Sequence, residues 1–417
     1  METFMRKISF FAFLAVSLAG VAAEVSDVTL SEAGDELVVS YKLSADAIVV
    51  VDIQTNAADG TYAAIGGRHQ WTLNGDINRM VAAGDSRTFT WTPCVDLPDA
   101  DIETADLRVR FHTYEYGDAP DYMVVDLSLA AEPHVQYYPD VESLPGGLLE
   151  NGSYRSSKIV MRHIHASGAK LMRGTLAENG RSTSNEHLHE AQLTNDYWMA
   201  VFETTFAQIA NFGASAWLSV KPAKNYTWDN IRGDALKHSW PYTVAGDSYI
   251  GRLRARTGVS FDLPSETQWE YACRAGNGEG LWNEGSPVLS SSGADLAHFG
   301  KKWSKTDCGV MVGSFNPNSW GLYDMHGNIA EFCLDWYQKD VSGYGGKVNS
   351  EGALALDGNS CANKTVRGGC FTSAWSDMRS ASRSAYSNAA CKHEAGFRLC
   401  SAYGFQSEEL LPVASAE

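Results

Sequence analysis

The feature that most constrains this chain is a change of texture near residue 157. Before it, short apolar runs alternate with turn residues. After it, long periodicity disappears while Gly and Trp accumulate. In the first part, DELVVSYKL and AIVVVDIQT are rich in Val and Ile, SRTFTWTP and DLRVRFHTY alternate, and DYMVVDLSL (121–129) closes the series. Turn signals stand between them at Asp59-Gly60, Gly66-Gly67, Asn74-Gly75 and Ala83-Gly84-Asp85. Short strands with such regular punctuation predict an all-β sandwich over 24–130. Residues 131–156, with Pro133, Pro139, Pro145-Gly146-Gly147 and Asn151-Gly152, read as a linker.

In the second part the pattern predicts two helices. One covers roughly 203–213 and is stopped by Gly213; the other begins after Leu263-Pro264. There Ser265, with Gln268 three residues on, forms a capping box, and Trp269 and Cys273 share a face. A weaker helical pattern covers 247–256. The rest reads as loops and short strands, which side-chain hydrogen bonds, disulfides or metal ions must hold.

Residues 1–23 read as a cleaved secretory signal. Arg6 and Lys7 precede the apolar run Ile8–Ala23, which is short against the roughly 20 residues of a spanning helix and ends in Val21-Ala22-Ala23. The expected location is therefore secreted, periplasmic or cell-envelope, with no membrane insertion after signal cleavage. The 33 Lys+Arg against 50 Asp+Glu give a net charge of −17, which argues against a nucleic-acid partner. All eight cysteines follow the signal, so disulfides are expected of an oxidising compartment; their pairing stays open. No C-x-x-C, G-x-S-x-G, H-E-x-x-H or phosphate-binding glycine loop is present. The pairs His163/His165 and His187/His189 are spaced to share a strand face and to offer two metal ligands, but neither shows a third.

Four segments in order carry a family resemblance: VFETTFAQIANF (201–212), FDLPSETQWEYACRAG (261–276), NSWGLYDMHGNIAEFCLDWY (318–337), and VRGGCFTS, RSASRSAY and AGFRLC within 366–400. Together they make the chain similar to the formylglycine-generating enzyme (sulfatase-modifying factor) family. The resemblance implies an α+β, C-type-lectin-like domain over 157–403 with little regular secondary structure, followed by a tail at 404–417. The sandwich lies outside that domain.

The resemblance also implies a structural calcium ion in the loop Asp324–Glu331, with side-chain ligands from Asp324 and Glu331 and backbone ligands at His326, Gly327 and Ile329. Calcium takes six to eight oxygens, and Gly327 permits the tight turn. His298 stands where the family often has Asn for a second calcium site. The family's aerobic oxidases bind copper(I) through two cysteines shortly after RGGS. Here Cys370 replaces that Ser and Ser373 stands at the first copper cysteine, a hard hydroxyl in place of a soft thiolate. Copper is therefore not expected. Asp262 stands where the family usually has Arg.

Residues 371–388 are rich in Ser with aromatics interspersed, a composition suited to recognition. The candidate ligand-binding residues are Phe371, Trp375, Ser376, Asp377, Arg379 and Tyr386. This segment also resembles the hypervariable stretch of diversity-generating-retroelement variable proteins; the plainer alternative is an ordinary polar loop. The expected function is binding or scaffolding of a protein or glycan ligand. The alternatives are an oxidase that converts a sulfatase cysteine to formylglycine, or an inactive paralogue that binds sulfatases.

Overall fold

The computed structural model describes residues 23–56, 60–99, 107–115, 118–128, 134–175, 185–210, 219–238, 243–276, 297–302, 309–342, 347–348, 363–390 and 394–402. Residues 1–22 of the signal segment, the tail and part of the expected helix at 203–213 lie outside them. The described residues divide into two compact units: the chain up to Val124 with Val135–Gly152, and Val125–His134 with everything from Ser153 onward.

In the first unit, Val25–Ala33, Glu36–Leu43, Gly84–Trp91 and Asn74–Gly75 lie side by side in one antiparallel sheet. Ala47–Asn56 is the centre of a second, flanked by Leu107–Tyr114, Tyr62–Ala64 and Arg79–Val81. Period-two alternation decides which residues point inward. Leu37, Val39, Tyr41 and Leu43 are buried while their neighbours are not. Val39, Tyr41 and Phe89 of one sheet share a core cluster with Val49, Val51 and Phe111 of the other. The Tyr41 and Phe111 rings meet with centroids 5.0 Å apart. Val135–Gly152, most of the segment 131–156 that reads as a linker, belongs to this unit. Tyr137 N–H donates to the Asn78 carbonyl, Gly67 N–H donates to the Glu142 carbonyl (both 2.7 Å), and Leu144 is fully buried.

The second unit is sheet-rich with few and short helices. Lys158–Ile164, Tyr197–Ala200, Cys400–Ala402 and Phe261–Asp262 run next to one another in one sheet. Ser384–Ser387, Asn363–Arg367, Ala330–Trp336 and Ala395–Gly396 form another. The capping box is as read from sequence. Ser265 accepts from the Gln268 N–H, the Gln268 side chain accepts from the Ser265 N–H, and the helix Glu266–Cys273 follows. Tyr249–Thr257 starts at Ser248, whose hydroxyl accepts from Gly251, and ends at left-handed Gly258. Trp269, Cys273, Tyr197, Met199, Met325 and Cys333 share one core.

The disulfides expected to hold this irregular backbone are not found among the described residues. Cys94, Cys273, Cys333, Cys370 and Cys400 carry free thiols, while Cys308, Cys361 and Cys391 lie outside those residues. Buried ion pairs do part of that holding instead. Glu266 and Glu270 project from the capped helix into a cluster of Arg173, Arg274, Arg367 and Arg383, every one of these side chains at most 4% exposed. Burial alone would raise the Glu270 pKa; the guanidiniums of Arg274, Arg367 and Arg173 outweigh it and bring the value to about 2.

Candidate functional site

The loop Asp324–Glu331 leads into the strand Ala330–Trp336 and is almost wholly out of water. Asp324, Gly327 and Asn328 adopt left-handed backbone angles (φ 57°, 82° and 59°), conformations that Asp, Asn and Gly tolerate best. At Gly327 a Cβ atom would sit 2.6 Å from the His298 carbonyl oxygen, so only glycine fits. The Glu203 carboxylate ties the loop down: it accepts from the Asn328 side-chain amide at 2.6 Å and from the Ile329 N–H at 3.1 Å.

The residues expected to hold calcium divide into two groups. Asp324 Oδ2 accepts from the Gly313 N–H at 2.7 Å, while Oδ1 is buried with no hydrogen-bond partner. That orphaned oxygen suits a hard cation. Glu331 is committed elsewhere. Arg398 reaches both of its oxygens at 2.8–3.1 Å, and the Trp269 indole N–H donates to Oε2 at 2.6 Å. A carboxylate whose two oxygens take four such contacts has little capacity left for a metal. His326 is buried; its Nδ1 lies 2.8 Å from the Met378 carbonyl, and burial lowers its pKa to about 4.

Glu203, Asp324 and Glu331 interact electrostatically with one buried guanidinium, that of Arg398. Burial, reinforced by its two carboxylate neighbours, raises the Glu203 pKa well above the usual range. Burial brings Asp324 up to about 6, against the opposing pull of the Gly313 N–H and Arg398. The surplus of buried negative charge is met by protons or by a cation.

The segment after Arg367 forms the adjacent surface. Cys370 is buried, with the Thr372 and Ser373 hydroxyl oxygens each 3.2 Å from its Sγ. Thr372 in turn donates to Glu394 at 2.7 Å. Phe371 is fully buried, and Arg379 is buried in a two-pronged pair with Glu186 at 2.6 and 2.9 Å. Of the six candidate recognition residues, these two are turned to partners inside the protein. Trp375, Ser376 and Tyr386 are half-buried and Asp377 is exposed. The Trp375 ring packs on Phe299, also half-buried, with centroids 4.9 Å apart, and both cover buried Ala297 and Met378.

Residues 131–403 match the model of the sulfatase-modifying factor enzyme 1-like domain. The chain belongs to this family. Within it, the chain is 28% identical over 177 residues to the formylglycine-generating enzyme of Mus musculus, covering 40% of each chain. It is 25% identical over 204 residues to the enzyme of that name from Streptomyces coelicolor, covering 45% of this chain and 60% of the other. A protein of Chlamydia caviae named serine/threonine-protein kinase pkn1 is 30% identical over 158 residues, 38% of this chain. This chain thus spans 24% of the length of that relative and 40% of the mouse enzyme. Among solved structures, Treponema denticola variable protein 1 aligns with a TM-score of 0.45 at 18% identity, over 59% of this chain and 96% of the other. PvdO from Pseudomonas aeruginosa aligns with a TM-score of 0.45 at 21% identity, over 58% and 94%.

Asp262 does not leave an unfilled cation position at the site where the family usually has Arg. It pairs with Arg232 at 2.7 and 2.9 Å and with Arg254 at 3.3 Å, so it answers two cations of this chain. Sequence reading did not single out Glu203, Arg398 and Glu394, although Glu203 and Arg398 lie inside segments that carry the family resemblance. Each acts through a partner more than twenty residues away. Among the described residues, no helix is long and apolar enough to cross a membrane.

Proposed function

We propose that the sulfatase-modifying-factor-like unit is a recognition module of a secreted, periplasmic or cell-envelope protein, binding a protein or glycan ligand rather than oxidising a cysteine. The leader-like residues 1–23 support the location, and the net charge of −17 speaks against a nucleic-acid partner. The observation that carries the reading is the half-buried ring pair of Trp375 and Phe299, flanked by half-buried Ser376 and exposed Asp377 and Lys301. An aromatic platform with small polar and charged neighbours is a surface built for contact. A C-type-lectin-like fold, with loops carried on a rigid frame, accords with this role. A calcium ion held through Asp324 would stabilise the loop beneath without taking part in binding.

A glycan array probed with the full chain and with Trp375→Ala tests the reading, and soluble hits are then titrated by calorimetry. Ligands lost or weakened at least about tenfold in Trp375→Ala support it. The same ligands bound equally by both proteins overturn it.

The oxidase reading has one specific observation in its favour. The Cys370 thiol, the Thr372 hydroxyl and the Glu394 carboxylate form a relay in the segment that resembles the oxidases' active site. Against it, the donors beside Cys370 are hydroxyls, which copper(I) disfavours. A copper(I) competition titration on the reduced chain separates the two. Stoichiometric binding lost in Cys370→Ser would favour the oxidase; binding no tighter than a generic thiol control would leave recognition.

A further inference from the structure

Two histidines at the end of one strand and an aspartate beside its neighbour converge on a single point in the second unit. His163 lies in the strand Lys158–Ile164 and His165 immediately follows it, so the two project to one side. The adjacent strand pairs Trp198 with His163 and Tyr197 with Ile164, which brings the preceding residue, Asp196, level with His165. Asp196 Oδ2 lies 3.6 Å from His163 Nε2 and 3.7 Å from His165 Nδ1. One donor atom from each of the three residues lies within 4.8 Å of the others.

Those separations are too long for hydrogen bonds. They are close to the spacing of donors that share an ion: bonds of about 2.0–2.1 Å at tetrahedral angles place ligand atoms about 3.3 Å apart. The carboxylate is already oriented. Its Oδ1 accepts from the Ala166 and Ser167 N–H groups at 2.7 and 2.6 Å, which turns Oδ2 towards both imidazoles. The Ser167 hydroxyl donates to the Thr194 carbonyl at 3.1 Å and clamps the two chain segments together. The His163 ring stacks on Trp198 with centroids 4.8 Å apart and 23° between planes, which fixes one ligand in place. His163 is buried, Asp196 half-buried and His165 exposed, so one side of the cluster faces water.

We propose that His163, His165 and Asp196 form a divalent transition-metal site. Two imidazoles and a carboxylate suit zinc, and the exposed side leaves a fourth position for water or an exogenous ligand. The site is separate from the aromatic platform and from the loop Asp324–Glu331, and it does not depend on the recognition reading.

The test is titration of the full chain with zinc against a chromophoric chelator, together with the visible spectrum of the cobalt(II) form. His165→Ala and Asp196→Asn are the variants. His165 is exposed, and an asparagine oxygen still accepts from Ala166 and Ser167, so both variants are expected to melt like the parent without metal. The expected result is one equivalent of zinc, an ordered cobalt spectrum, and at least about tenfold weaker binding in each variant. His187→Ala, from the other histidine pair, should leave binding unchanged. No zinc uptake, or uptake undiminished in both variants, overturns the proposal.

Discussion

The guanidinium of Arg398 and the carboxylate of Glu331 meet at 2.8 Å, with 0% and 1% of their side chains exposed. Arg398 also donates to the carbonyls of Ala200, Val201 and Tyr323, so one side chain ties the segment at 200–201 and the start of the loop to Glu331. Replacing Glu331 by Gln strands a buried cation. The expected loss is about 3–5 kcal/mol in urea unfolding, the usual result of removing one partner of a buried pair. Because Glu331 serves Arg398, the loss should be the same with and without a calcium chelator. A loss that vanished on chelation would return Glu331 to the role of metal ligand.

Asp324 is expected to behave differently. If its orphaned oxygen takes calcium, saturating calcium raises the melting temperature of the parent protein. At a hundred times the dissociation constant the stabilisation is about 2.7 kcal/mol. Asp324→Asn should abolish the calcium response. Scanning calorimetry in calcium and in chelator reads both. A parent protein indifferent to calcium would remove the ion from the loop.

Acid should weaken the cluster around the capped helix. Glu270 has a folded pKa of about 2 against an ordinary 4.5, and Glu266 is also lowered. Their ionised forms therefore stabilise the fold. That contribution is fully present above about pH 4.5 and is lost as pH falls through the folded values. For Glu270 alone the loss is on the order of 3 kcal/mol. Arg274→Gln removes a cation that holds this value down, so the decline should begin at higher pH. Urea midpoints measured across the acid range would show it, and superimposable profiles would refute it.

Asp262 offers a test by charge reversal. Asp262→Arg would place a third guanidinium beside Arg232 and Arg254, and a cost of several kcal/mol, on the order of 3–5, is expected. Adding Arg232→Asp should recover part of it. Equal stability of the single variant and the parent would show that the pocket rearranges freely.

What could be read in the sequence was local. Ser265 and Gln268 cap a helix through atoms three residues apart, and the weaker pattern over 247–256 lies on the helix Tyr249–Thr257. The alternation in Glu36–Leu43 names its own buried face. The family was legible because its motifs are contiguous. The site was much less so. His163 and His165 were visible as a pair, but Asp196 joins them only through strand pairing. Phe371 and Arg379 sit in a polar, loop-like stretch, yet packing buries one and Glu186 captures the other. The cysteine count suggested covalent bridges, whereas the described cysteines are free thiols and much of the interior tension is balanced between carboxylates and guanidiniums.

Those thiols have a consequence of their own. Burial raises the pKa of Cys273 to about 12 and those of Cys333 and Cys400 above their ordinary value, so almost no thiolate exists while the fold is closed. Thiolate is the form that reacts with alkylating reagents. Each of the three becomes a stopwatch: its labelling rate records how often the packing around it opens, at a known address and without a foreign probe. Exposed Cys94 supplies the rate of an unshielded thiol for comparison. In this way the protein carries the means of timing its own breathing.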